Sequence, residues 1–302
     1  MELGMIGLGR MGANMTQRLL AAGHRMVVTS QGRDSVDAAA KFGAIPAYSI
    51  EELVGQLASP RAVWVMVPSG EPTEEVIRTL RPLLDAGDIL IEGGNSNYKD
   101  SMRRAVYVGE RKIHYVDVGT SGGIWGRTEG YSLMIGGSKD AVEHMRPIFE
   151  SLAPAPDKGW GHVGPSGAGH FAKMVHNGIE YGMMEAMAEG FDLMQRKTEF
   201  AFDPHQIATI WQHGSVVRSW LLDLTARALE DNPKLDGIAP WVEDSGEGRW
   251  TVMESIDLAC PMPAITLSLL RRFRSRDTGP YADKLLAAMR QQFGGHAVKQ
   301  SK

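Results

Sequence analysis

Residues 7–12 read Gly7-Leu8-Gly9-Arg10-Met11-Gly12, a G-x-G-x-x-G spacing set between a short apolar run and an amphipathic stretch. Three glycines so spaced restrict what the chain can become. The first permits a tight turn, the second lets phosphates approach the backbone, and the third lets the next helix lie close on the strand. The N–H groups that open such a helix lack intrahelical partners and face an anion. Glycine turns are common, so the weight comes from the strand before and the helix after. Together they predict a dinucleotide loop contacted through Gly7, Leu8, Gly9, Arg10, Met11 and Gly12.

Up to about residue 155, apolar runs at 3–8, 25–29, 62–67, 89–92, 114–118 and 132–135 alternate with helical patterns such as 11–22 and 72–84. Short runs rich in Val and Ile fit buried strands of a mostly parallel sheet. Val67, closing the third run, is assigned to the cofactor site. From residue 167 the chain reads as helices, at 167–197, 203–212, 217–231, 264–274 and 279–292. The break near 155–165, around Pro154, Pro156 and Pro165, marks the boundary. The expected class is α/β plus all-α: a doubly wound, Rossmann-type domain over 1–160 and an all-helical substrate and oligomerisation domain over 161–302.

At 302 residues, two domains are expected, and a net charge of −4 argues against nucleic acid or an anionic membrane as partner. An anionic ligand therefore needs a local basic cluster. The lone Cys260 excludes an internal disulfide and suggests a reducing compartment. The first eight residues carry no basic leader or cleavage site, and no apolar run nears the ~18 residues that span a bilayer, so a cytoplasmic chain is expected. The nine histidines are scattered, and no metal site is expected.

Where the second strand ends, Ser30-Gln31-Gly32-Arg33 offers no carboxylate for an adenosine ribose. Without that acid a 2′-phosphate is not repelled, and Arg33 can pair with it. Ser30, Gln31 and Arg33 are thus cofactor candidates, with a lean towards NADP. Arg33 as a solvated loop arginine, or Asp34 bending back to the ribose, keeps NAD open.

On a helix from 167, Lys173, Asn177 and Glu180 stand at i, i+4 and i+7 and share a face, with His176 beside it. A lysine, an amide and a carboxylate along ~10 Å of helix suit proton traffic. A surface ion-pair stripe is the plainer reading. Gly167, Gly169 and Gly178 weigh against it, because each mid-helix glycine costs roughly 1 kcal/mol and suggests close approach to a backbone or ligand.

Taken in order, these motifs resemble the β-hydroxyacid dehydrogenase superfamily and, within it, the short form of the decarboxylating 6-phosphogluconate dehydrogenases. The resemblance runs through Gly7–Asn14, Glu92-Gly93-Gly94-Asn95-Ser96, Gly119-Thr120-Ser121-Gly122-Gly123, the run Lys173–Gly182, and the tail Arg290 to His296. It implies oxidative decarboxylation of 6-phosphogluconate with NADP or NAD. Lys173 would act as base and then proton donor, and Glu180 as acid, with His176 and Asn177 beside the reacting hydroxyl. Asn95, near both substrate and cofactor, and Ser121, Gly122 and Gly123, at the carboxylate, complete that end. Tyr181, Arg274 from the Arg271–Arg276 cluster, Arg290 and His296 would meet the phosphate. By the same analogy the tail acts across the interface of a homodimer or homotetramer. Glu92 replaces the usual aspartate, and Ser245 stands where longer relatives carry a lysine-threonine loop. The alternatives are a dehydrogenase for another β-hydroxy acid, such as 3-hydroxyisobutyrate, and a non-catalytic nicotinamide-binding protein.

Overall fold

A computed structural model describes residues 1–294 and 297–299. Eight strands form one sheet: β1 (Glu2–Ile6), β2 (Arg25–Thr29), β3 (Ile45–Pro46), β4 (Ala62–Val65), β5 (Ile89–Glu92), β6 (His114–Ser121), β7 (Ser132–Gly137) and β8 (Trp160–Gly164). Their spatial order is β3-β2-β1-β4-β5-β6-β7-β8. Neighbours run parallel except β6 against β7. The order reverses between β1 and β4, and the loop after β1 opens at that switch point, where open α/β sheets bind ligands.

The strands are continuous apolar runs because both faces of the sheet are covered. Met5, Val28, Trp64 and Ile91 pack on one side with Met15 and Leu19 of the helix Arg10–Ala21 and with Phe149 of Arg146–Leu152. Ile6, Val27, Val65 and Leu90 pack on the other with Leu53 of Ile50–Gly55 and with Ile77 and Leu80 of Glu71–Leu83.

The chain divides into two compact units, Met1–Asn177 and one beginning at Gly178. The helix Ala168–Arg196 starts in the first and continues in the second. The second unit adds Pro204–Trp211, Trp220–Asp231, Glu247–Asp257, Pro263–Arg276 and Tyr281–Gly294, with no strand among the described residues. Ala208, Leu222, Ala226 and Leu229 form its small apolar cluster with Phe191 and Trp211. The architecture is thus a Rossmann-type sheet domain followed by a helical one. Among the described residues no helix is long and apolar enough to cross a membrane, and no acidic, His or Cys group is clustered to hold a metal ion.

Three elements differ from the sequence reading. β3 has two residues and no readable period. β8, Trp-Gly-His-Val-Gly in the expected break, is a half-exposed edge strand without an apolar run. The helix Glu247–Asp257 buries Glu247, Gly248, Thr251 and Ser255, a polar inner face that hydrophobic periodicity does not detect.

The long helix docks on the sheet where three glycines meet. A Cβ on Gly169 would collide with the Met134 carbonyl oxygen and stand 2.5 Å from that of Asp117. One on Gly119 would collide with the Lys173 side chain, and one on Gly136 would stand 2.8 Å from the Gly169 nitrogen. At the helix start, both oxygens of the buried Asp117 are engaged: Gly167 N–H donates to one at 2.6 Å and His170 N–H to the other at 2.9 Å. A carboxylate there satisfies orphan donors and suits the positive end of the helix dipole.

A Cβ on Gly190, further along the same helix, would meet nothing within 4 Å, and that residue is exposed. Gly169→Ala should lower Tm by roughly 4–10 °C, as overpacking against backbone does. Gly190→Ala should leave Tm unchanged or raise it by roughly 2–4 °C. Thermal melts check both, and equal shifts would contradict the docking account.

Candidate active site

The cofactor loop begins where β1 ends. Gly7 has φ 99°, and a Cβ on it would lie 2.8 Å from the Met66 carbonyl carbon and 3.0 Å from Val67 Cγ1. This places Val67 against the loop. A Cβ on Gly12 would run into the Gly7 carbonyl, so helix and strand meet there without room for a side chain. Above Gly9 the space is open, and no side chain caps the helix Arg10–Ala21 that follows. Open space at the second glycine, contact at the third and an uncapped helix start are what a pyrophosphate requires. These residues therefore fit a dinucleotide. Leu8 lies buried beneath the turn, Arg10 is exposed, and Met11 is half-buried.

Beyond β2, the Ser30 hydroxyl accepts from Leu8 N–H at 3.4 Å, which ties the two loops together. Gln31 and Arg33 are exposed. The Arg33 guanidinium lies 4.3 Å above the Tyr48 ring, and the Tyr48 hydroxyl donates to Asp37 at 2.7 Å. Asp34 stands in the first turn of the helix Arg33–Ala40.

Asn95 adopts φ 53°, and its amide clasps the backbone of Thr120. Oδ1 accepts from Thr120 N–H at 2.9 Å while Nδ2 donates to the Thr120 carbonyl at 3.1 Å. One amide hydrogen remains for a ligand. Ser121 closes β6, and Gly122 and Gly123 turn the chain into the short helix Gly123–Trp125 with φ 131° and 53°.

Lys173 and Asn177 are both buried, and Lys173 Nζ donates to Asn177 Oδ1 at 2.7 Å. His176 Nδ1 is 3.3 Å from Lys173 Nζ and 3.0 Å from Asn177 Oδ1, and its Nε2 is 3.5 Å from the Ser121 hydroxyl. The first unit thus gathers Lys173, His176, Asn177 and Ser121 in one connected group. Glu180 lies half-buried three residues past Asn177 on the same helix.

In the second unit Tyr181 is buried, and its hydroxyl accepts from Ser245 N–H at 2.9 Å and is 3.1 Å from the Ser245 hydroxyl, which itself donates to Glu247 at 2.9 Å. The Arg272 guanidinium lies 3.5 Å over the Tyr181 ring and donates to the Glu243 carbonyl at 2.6 Å. Arg271 pairs with Glu185 at 3.1 Å, Arg274 with Asp283 at 2.5 Å, and Arg276 with Asp244 at 2.8 Å. The Arg249 hydrogen bond, against the cost of burial and with help from Arg276, holds the Asp244 carboxyl well below the usual range. Among the described residues Arg272 makes no ion pair. Arg290 is exposed on Tyr281–Gly294, and His296 lies outside the described residues. Sequence reasoning named Arg274 from this cluster, whereas Arg272 is the member that stacks on Tyr181. It also passed over Asp117, although an acid inside the apolar run His-Tyr-Val-Asp-Val is the kind of signal that marks a buried anchor.

Comparison with known families decides what this arrangement belongs to. Residues 2–164 match the NAD-binding domain of 6-phosphogluconate dehydrogenase, and residues 169–283 match the C-terminal domain of that enzyme. The chain belongs to the 6-phosphogluconate dehydrogenase family. YqeC of Bacillus subtilis (strain 168), whose own name gives it that activity provisionally, is 43% identical, with 99% of each chain covered. An NAD(+)-dependent, decarboxylating 6-phosphogluconate dehydrogenase of Haloferax volcanii is 41% identical, covering 99% of this chain and 98% of that one. A solved 6-phosphogluconate dehydrogenase of Plasmodium falciparum superposes with a TM-score of 0.84 at 27% identity, covering 100% of this chain and 67% of that longer one. This member of the family is therefore an oxidoreductase of that type with a nicotinamide dinucleotide as cofactor.

Gly9 has ordinary backbone angles, φ −63° and ψ −176°, so alanine is tolerated there. Gly9→Ala should keep its Tm and weaken NADH and NADPH binding by about tenfold or more, since the methyl fills the phosphate's space. Gly12→Ala should lose stability instead. Fluorescence titration beside thermal melts separates the two, and undiminished binding by Gly9→Ala would contradict the cradle.

Proposed function

We propose that this family member oxidises and decarboxylates 6-phosphogluconate to ribulose 5-phosphate and carbon dioxide. The observation that carries the reading is the buried Lys173–Asn177 hydrogen bond of 2.7 Å, which aims a proton-transferring amine from a rigid helix. A dinucleotide held at Gly7, Gly9 and Gly12 would supply the hydride acceptor. Lys173, in its neutral form, takes the proton of the 3-hydroxyl as hydride leaves that carbon. The product is a β-keto acid. As it loses carbon dioxide, the protonated Lys173 donates to the developing enolate oxygen. Glu180, two helical turns beyond Lys173 and in its protonated form, then gives a proton to the carbon that carried the carboxylate while the neutral Lys173 takes back the enol proton, which leaves the ketone of ribulose 5-phosphate.

Asn177 and His176 hold the lysine and face the reacting hydroxyl, and the second Asn95 amide hydrogen serves the same end. Ser121, Gly122 and Gly123 receive the carboxylate through a hydroxyl and backbone N–H groups. For the phosphate we favour Tyr181 with Arg272, whose guanidinium is not tied to a carboxylate, and then Arg274, Arg290 and His296. Arg33, held over Tyr48, supports NADP, and the exposed Asp34 supports NAD; both cofactors stay within the proposal. A homodimer or homotetramer is proposed as well, because the second unit exposes Val216, Ile256 and Tyr281 at 98%, 73% and 77%.

Lys173→Met should bind NADPH as the parent does and lose turnover by about 10³-fold, within the range for a general base. Arg272→Ala should raise KM for 6-phosphogluconate by about tenfold and leave gluconate kinetics alone. Parent-like turnover by the first variant removes Lys173 from its role. Equal effects of the second on both acids would point to an unphosphorylated β-hydroxy acid instead.

A further inference from the structure

Beneath the residues assigned to the reaction lies a buried polar cluster that none of those assignments uses. Glu92, the last residue of β5, is fully buried. Its Oε1 accepts from Gly94 N–H at 2.9 Å and from the Ser96 hydroxyl at 3.1 Å. Its Oε2 accepts from the Arg104 guanidinium at 3.1 Å and from the Tyr115 hydroxyl at 3.1 Å. A buried carboxylate with that many donors is not an accident of packing, because an unsatisfied one would destabilise the fold severely. Burial, then the Glu92 charge, pushes the Tyr115 hydroxyl well above its ordinary range, so it stays a donor.

One oxygen of Glu92 addresses the Asn95 turn, and the other is held by Arg104 and Tyr115. Gly94 and Ser96 flank Asn95, whose backbone is held in the left-handed region and whose amide clasps Thr120. On the other side, His170 Nδ1 comes within 3.6 Å of Oε2 and lies 2.7 Å from the Ser101 hydroxyl. His170 stands three residues before Lys173, about one helical turn. Glu92 is also the register partner of Asp117, the residue that anchors the start of that helix.

We infer that Glu92 is a positioning residue for the reaction, fixing the Asn95 turn through the Gly94 N–H and the Ser96 hydroxyl on one carboxylate oxygen while Arg104 and Tyr115 hold the other in place. The inference rests on the reading of Asn95 and Lys173 as site residues. Aspartate is the usual residue of relatives at this position, so the informative change keeps the length and removes one acceptor. In Glu92→Gln a single amide oxygen faces two sets of donors; turned to the Arg104 guanidinium, which keeps Glu74 as a partner at 2.7 Å, it leaves an NH2 group against the Gly94 N–H and the Ser96 hydroxyl. Ser96→Ala, which removes one donor to Oε1 and no charge, supports it if Glu92→Gln folds poorly.

The Thr120 amide hydrogen, bonded to Asn95 Oδ1, reports on the clasp without any turnover. In Glu92→Gln that amide should exchange at least about tenfold faster while amides of β1 and β4 keep their protection. In the same variant kcat for 6-phosphogluconate should fall at least about tenfold, with KM for the dinucleotide within about twofold. Ser96→Ala should move both readouts the same way by less. Unchanged Thr120 exchange in both variants overturns the inference. So does protection lost evenly across the sheet with kcat per folded molecule intact, since that is a purely structural role. If the unaltered protein does not turn over 6-phosphogluconate, the functional reading fails, and Thr120 exchange still decides the role of Glu92.

Discussion

The N–H groups of Gly167 and His170 end on the two oxygens of Asp117, and the placement of Lys173 depends on that junction. A helix start is a cluster of unpaired donors, and burying it against a sheet is unfavourable unless an acceptor is waiting. Asp117 supplies both acceptors from the middle of β6, while Gly119, Gly136 and Gly169 remove the side chains that would hold helix and strand apart. Together they fix the depth and rotation of the first turns of that helix. Lys173, one turn on, is thereby buried against Gly119 with its amine directed to Asn177.

The same economy recurs around the cofactor loop. Contact at Gly7 and Gly12 draws helix, strand and the Met66–Val67 turn together, while Gly9 is left open to the phosphates. The site is built from backbone brought close enough for short side chains and N–H groups to act, and some of its neighbouring carboxylates are met by arginines. Glu92 with Arg104 and Asp244 with Arg249 are matched pairs of this kind.

Much of this is legible in the sequence. The G-x-G-x-x-G turn, the alternating apolar runs and the Lys173-Asn177-Glu180 spacing each follow from a local period, and each keeps its meaning in the fold. Gly169 and Gly178 signal close approach in the sequence, and each faces a neighbour that would collide with or crowd a Cβ, backbone for Gly169 and Thr251 for Gly178. What stays hidden depends on long-range pairing. β8 is a strand only because Leu133 and Ile135 of β7 give it partners. The polar inner face of Glu247–Asp257 has no hydrophobic signature, although it packs Gly248 beneath Tyr181. Arg272 and Arg274 are indistinguishable in sequence, and only the fold sets one over Tyr181 and the other beside Asp283.

Lys173, held by the Asp117 junction, is proposed to carry out both oxidation and decarboxylation on one substrate. The most direct measurement follows reduced cofactor and released carbon dioxide together, during turnover of 6-phosphogluconate by the unaltered protein with NADP and with NAD. One equivalent of gas per equivalent of reduced cofactor is expected with whichever dinucleotide is used, and the two efficiencies report what Ser30 to Arg33 selects. Reduced cofactor without matching gas, or no turnover with either dinucleotide, would contradict it and assign the helix to a different β-hydroxy acid.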